Sequence, residues 1–229
     1  MRKALFLPSL LAVSLLACAA ARAQMRQTPD QDSRCAEAWA RLGPEIRSEG
    51  SNTMERVERR YQAAKEFLRV CEGVDAAQVR FVRKWVEKYD AAVNSFKAQQ
   101  SFRELVEEVR KGDAPPATYA RLAEVGVVGL YEPNLRQLHA LIDSGKSLDS
   151  KEVREAWAEM AKALDTIVSA YARAIAMCGA REGCQMAKGS WTGNLAKYYA
   201  LRHNGSTEGL QEFISRGLDA PIPMSFPKP

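Results

Sequence analysis

The sequence predicts an all-α fold: a disulfide-stapled bundle of about seven to nine helices behind a cleaved signal peptide. Three observations carry this. Apolar residues recur at steps of three and four through most of the chain, the signature of helices with one buried face. No stretch alternates in the way paired strands do. Four cysteines, Cys35, Cys71, Cys178 and Cys184, follow an export-type leader, and an even number in an exported chain reads as two disulfides.

Arg2 and Lys3 form a positive start, Ala4 to Ala21 is uncharged and mostly apolar, and Ala21-Arg22-Ala23 is a small-x-small cleavage site. Residues 1–23 are therefore read as a signal peptide, with the mature chain beginning at Gln24. Leu15-Leu16-Ala17-Cys18 offers a competing site at which Cys18 becomes a lipidated first residue. Membrane attachment is expected only in that case. The full chain has 33 basic and 28 acidic residues; losing Arg2, Lys3 and Arg22 leaves 30 against 28. So small an excess, with no Lys/Arg-rich run, gives no reason to expect nucleic acid.

Residues 24–32 are polar and read as a flexible leader, and 33–217 as one helical domain. A first helix runs from Ser33 to Arg47, with Gly43-Pro44 bending it. A second starts near Asn52 and stops near Gly73. Cys35 shares a face with Trp39, Leu42 and Ile46; Cys71 shares one with Met54, Val57, Tyr61, Ala64 and Leu68. Each cysteine thus sits at the outer end of an antiparallel pair, which predicts Cys35–Cys71. Cys178 and Cys184 flank the flexible span GAREG, which predicts the second bond. Loop entropy assigns the two about 4 and about 2.5 kcal/mol.

The third helix opens with Val74 and Val79 as a staple around Asp75. Its core face is Val79, Val82, Trp85 or Val86, Tyr89, Val93 and Phe96. The pattern slips at Lys97–Ser101 and restarts at Phe102, Leu105, Val106 and Val109 on a rotated face. A kink or short break, and a hinge over 97–116, are expected there. Gly112 to Pro116 is a turn leading into a short helix at Thr118–Val125. Val125–Tyr131, VGVVGLY, is apolar, uncharged and interrupted by two glycines, unlike the amphipathic segments around it. It is read as either a buried strand-like connector or an apolar loop shown to a partner. Pro133 starts the next helix, with Leu135, Leu138 and Ile142 inward.

Lys151–Cys178 is the organising helix, with Val153, Trp157, Met160, Leu164, Ile167, Tyr171, Ile175 and Cys178 on its apolar face. Asp149 with Glu152 reads as a capping box, Leu148 with Val153 as a staple, and Gly179 as the C-cap. A Gly-rich loop carrying Trp191 follows, then a helix at Thr192–His203, an Asn204-Gly205 stop and a last helix at Thr207–Arg216. Residues 218–229 form a Pro-rich tail that cannot be regular helix, with four prolines in APIPMSFPKP; it is read as extended, with a disordered end expected ahead of docking into a groove as extended peptide.

No motif of nucleophilic catalysis, phosphate binding or dinucleotide binding is present. His139 and His203 have no metal-type spacing to any cysteine, so no metal and no cofactor is expected. His139 falls on the face of Leu135, Leu138 and Ile142, which predicts a partly buried histidine. Glu37, Glu124, Glu132 and Glu159 border apolar residues. They are the candidates for the rival reading, an envelope enzyme cleaving peptidoglycan through a carboxylate; a lipid-anchored structural protein is a third. The leading expectation is a non-catalytic exported protein of the periplasm or envelope that binds a protein partner in an inhibitor, immunity-type or assembly-factor role. Its candidate binding residues are Trp191, Tyr198, Tyr199, Arg202 and His203, types that dominate binding hot spots, together with Val127, Val128, Leu130 and Tyr131. Trp191 in a loop at a helix start would sit beside free N–H groups, and of the two adjacent tyrosines one would face outward.

Overall fold

The computed structural model describes residues 29–47, 53–179 and 182–224. Residues 1–28, which include Cys18 and the segment read as a signal peptide, and the end of the tail, 225–229, lie outside the described residues. Every regular element among those described is helical: α1 (Pro29–Arg47), α2 (Met54–Val70), α3 (Ala77–Arg110), α4 (Pro116–Gly126), α5 (Glu132–Asp143), α6 (Lys151–Cys178), α7 (Gln185–Arg202) and α8 (Leu210–Ser215). A π-helical turn, Val127–Tyr131, makes α4 and α5 one continuous rod, and a 3₁₀ turn, Glu182–Cys184, precedes α7. The chain divides into two compact units at Tyr89/Asp90, inside α3 and ahead of segment 97–116.

In the first unit α1 begins at Pro29, four residues earlier than Ser33. Proline lacks the N–H that a first helical position cannot use, and Asp30 and Asp32 oppose the positive end of the helix dipole. Pro44 lies within α1, which continues to Arg47. The Trp39 ring lies across Gly43, where a Cβ would approach it to 3.1 Å. Cys35 is bonded to Cys71 with Cα atoms 5.1 Å apart, and the Gln31 amide donates to the Glu72 carbonyl at 2.6 Å. Both fasten the start of α1 to the end of α2. Leu42, Ile46, Ala64, Phe67, Val79 and Val82 form the core beneath them. Asp75 does not cap α3, which starts at Ala77; its carboxylate pairs with Arg80 at 2.5 Å.

The break expected at Lys97–Ser101 is absent: α3 runs unbroken for 34 residues. Its apolar stripe changes direction because Val79 and Val82 serve the first core whereas Phe102, Leu105, Val106 and Val109 serve the second. Lys97 to Ser101 contain neither Gly nor Pro, so nothing local stops the helix.

In the second unit α3 runs antiparallel to the α4–α5 rod, joined by three side-chain bonds in reverse order. Thr118 Oγ1 donates to Glu108 at 2.9 Å, Gln99 Nε2 to the Gly129 carbonyl at 3.0 Å, and Arg136 to Ser95 Oγ at 2.7 Å. The rod folds back on α6, the hub against which α4, α5, α7 and α8 all pack. Along α7, Asn194 donates to Tyr171 Oη at 3.3 Å and Arg202 to Asp165 at 2.7 Å. Cys178 bonds Cys184 with Cα atoms 5.6 Å apart. Both disulfides pair as expected, the arrangement of a chain matured in oxidising surroundings. No described helix is long and apolar enough to cross a membrane.

Several local expectations change. Ser150, not Asp149, caps α6: its backbone is extended and its hydroxyl accepts from Val153 N at 3.3 Å. Leu148 is left 64 % exposed, outside any staple. Trp157 is 49 % exposed and Ala156 takes its place in the core at 5 %. Ile142 and His139 are exposed, while Leu138 is buried with Leu135 and Leu141 packed beside it. The expected Gly-rich loop is helix, since α7 begins at Gln185, directly after the disulfide. Gly189 and Gly193 would meet nothing if given a Cβ, and burial of Leu195, Tyr198 and Tyr199 outweighs their low helix propensity.

The tail is ordered as far as described. Arg173 donates to the carbonyls of Gly217, Leu218 and Ala220 at 2.9, 2.8 and 2.7 Å. Thr166 donates to the carbonyl of Pro223 at 2.6 Å. Ile222 and Met224 pack against the core. As expected, no regular helix forms over 218–224; residues 218–220 turn back on Arg216 and the rest of the segment is irregular.

Candidate functional site

The two stretches singled out in the sequence meet at one point. Tyr131, at the end of the π-helical turn, packs edge-on against Tyr198 of α7 with ring centroids 6.0 Å apart. Leu130 lies in the core at 3 % exposure, Val127 and Tyr131 pack partly buried against that core, and Val128 is half-buried. The π register has a readable cause. Pro133 has no N–H to offer the Gly129 carbonyl, its partner in an α-helix. That carbonyl turns to Gln99, while Glu132 N bonds Val127 O one residue further back.

Tyr198 and Tyr199 are both buried, at 9 % and 6 %, so neither faces outward. Tyr199 donates from its hydroxyl to the Glu208 carbonyl at 3.0 Å, packs on Phe213, and stacks on His203 at 4.1 Å. Arg202 is engaged with Asp165. Trp191 shares the Leu195–Tyr198 side of α7 and is partly buried against the core; it stands inside the helix, away from its first turn and the free N–H groups there. Burial pushes the phenols of Tyr131 and Tyr198 up, and that of Tyr171, with the charge of Glu124 nearby, up to about 12. These phenols stay neutral and serve packing and hydrogen bonding. Of the nine candidate residues, Tyr131 thus meets Tyr198 and Tyr199 meets His203, mostly within the molecule's own core.

The carboxylates are separated. Glu37 lies near Arg41 at 3.8 Å, Glu132 near Arg136 at 3.7 Å, Glu159 near Lys162 at 3.1 Å, and Glu124 is exposed. Among the described residues no group of three or more His, Cys, Asp or Glu is placed to hold a metal ion.

The first unit offers a site that the sequence did not suggest. α1 and α2 lie side by side, and the small residues Ala38 and Ala63 leave an open groove of about 440 Å³ between them. Its floor is apolar, with Leu42, Phe67 and Val70, and its rim carries Arg34, Arg41, Glu37 and Glu66. Glu45 and Ala63 also line a second recess of about 380 Å³, where Arg56, Arg59 and Arg60 converge. Arg60 is 7 % exposed, its Nε 3.9 Å from Glu45. In the sequence Arg56, Arg59 and Arg60 look like a solvated helix face. The available signal was Arg60 adjoining the Val57–Tyr61–Ala64 stripe, a place where an arginine is kept only with compensation.

Comparison with protein-family models, with curated proteins and with solved structures returns no match.

Proposed function

We propose that the chain is an exported helical binding protein of the bacterial periplasm or envelope that takes up a segment of a protein partner in the α1–α2 groove. One observation carries this reading: an open groove with an apolar floor and a rim of both charge signs, the surface into which an amphipathic peptide segment lays its apolar side. Inhibitor, immunity-type and assembly-factor roles all use such a surface. The two disulfides support an oxidising compartment. The chemistry is recognition, and the buried tyrosines of α7 and the π-helical turn hold the second unit together.

The test is native capture from the organism's own envelope extract with the mature chain and with Ala63→Trp. Ala63 is exposed in the groove, so a tryptophan fills the space without disturbing the core. A stoichiometric protein held by the wild type and lost with Ala63→Trp is expected. Equal capture by both would contradict the groove as the site.

A further inference from the structure

We propose that the α1–α2 groove and the arginine recess form one site, selective for a peptide segment that is apolar along its length and ends in carboxylates. The proposal rests on the groove reading above and names the ligand chemistry. Two lining residues, Glu45 and Ala63, belong to both cavities, so a chain lying on the apolar floor runs on into the recess. There it meets three guanidinium groups, those of Arg56, Arg59 and Arg60, with Glu45 as the carboxylate in the lining. Guanidinium groups bind carboxylates through paired N–H donors and cannot give up their charge. Arg60 is nearly buried whereas Arg56 and Arg59 are exposed. The recess therefore presents one guanidinium held within the fold and two at the surface. Such charges set which partner is accepted more than how tightly any partner is held.

Phosphate would satisfy the same guanidinium groups, which makes an anionic lipid the rival ligand. The groove argues for peptide. Its rim carries Arg34 and Arg41 as well as Glu37 and Glu66, and mixed charges suit the polar side chains and backbone of a peptide. An acyl chain is better served by an enclosed apolar channel.

The experiment uses the full mature chain and three fluorescein-labelled peptides sharing one leucine- and alanine-rich segment, ended by three glutamates, three glutamines or three lysines. Binding is read by anisotropy. The glutamate peptide is expected to bind about tenfold more tightly than the glutamine peptide and more tightly still than the lysine peptide. In the double variant Arg56→Glu/Arg59→Glu, whose altered positions are both exposed, the order should reverse. Ala63→Trp should weaken all three. Circular dichroism and the Cys35–Cys71 bond report that each variant is folded. Absence of a preference, or a preference that the double variant leaves unchanged, overturns the carboxylate proposal; capture of a native partner that still depends on Ala63 would then leave the groove reading standing. Binding of phosphatidylglycerol vesicles that is lost in the double variant, without peptide preference, also overturns it and assigns the recess to a lipid headgroup. Peptide binding and native capture that both ignore Ala63→Trp remove the two readings together.

Discussion

Gln99 Nε2 donates to the backbone carbonyl of Gly129 at 3.0 Å, and a Cβ on Gly129 would stand 3.0 Å from the backbone of Ala98 and Gln99. A residue on one helix thereby supplies the bond that Pro133 cannot, and only glycine lets the helices approach closely enough for it. Gln99→Leu should cost about 1–3 kcal/mol, the penalty of a buried carbonyl left without a donor. Gly129→Ala should cost a similar about 1–3 kcal/mol through overpacking. Urea unfolding of the two variants checks both values. An unchanged midpoint for Gly129→Ala would mean that α3 and the rod are not so closely packed.

Arg173 and Thr166 hold the tail through four backbone carbonyls. Bonds from a charged donor contribute about 1.5–3 kcal/mol each when buried, and Arg173 is only half-buried, so Arg173→Ala should cost about 1–2 kcal/mol in total. The sharper readout is local. Limited proteolysis should cut 218–224 much faster in Arg173→Ala, with a smaller acceleration in Thr166→Val. Cleavage at the wild-type rate would show that the contacts do not fasten the tail.

The two disulfides should differ in weight. Cys35–Cys71 spans 36 residues and Cys178–Cys184 spans 6, and the entropy of closing a loop grows with its length. Replacing the first pair by alanine should cost roughly 4 kcal/mol and the second roughly 2.5. Denaturant melts of the two double variants compare them, and nonreducing peptide mapping confirms the pairing.

Tyr171 gives a pH signature. Its phenol rises from 10.0 to about 12, burial being the first cause. In the unfolded chain it ionises at the ordinary value, so between these limits the folded state binds the proton more. Its contribution is complete below pH 10.0 and is lost as the pH rises toward about 12. Tyr171→Phe should shift the alkaline unfolding midpoint upward. A midpoint that stays or falls would contradict the buried neutral phenol.

Legibility followed the range of the forces involved. The limits of α6, Lys151–Cys178, match the sequence reading because a long run of threes and fours ends at Gly179, whose φ of 47° closes the helix. Cys35–Cys71 was legible because each of the two lay on the apolar face of its own helix, and Cys178–Cys184 because only a short flexible span separates them. What failed was set by distant partners. The slip at Lys97–Ser101 marks a helix serving two cores, not a break. VGVVGLY is helical because Gln99, 30 residues away, completes its bonding. Arg173 stands on α6 where sequence shows only a polar position, and its role appears once the tail arrives. Trp157 fits the apolar period but lies at its edge. The groove depends on what Ala38 and Ala63 lack, and a missing side chain leaves no periodic signal.

If the groove is the binding site, recognition belongs to α1 and α2 rather than to the buried tyrosines of α7 and the π-helical turn. Hydrogen exchange on the mature chain, with and without its co-purified partner, tests this most directly. Slowed exchange is predicted across residues 34–45 and 56–70, with 127–131 and 191–203 unchanged. Slowing confined to 127–131 and 191–203, with the groove helices untouched, would contradict it.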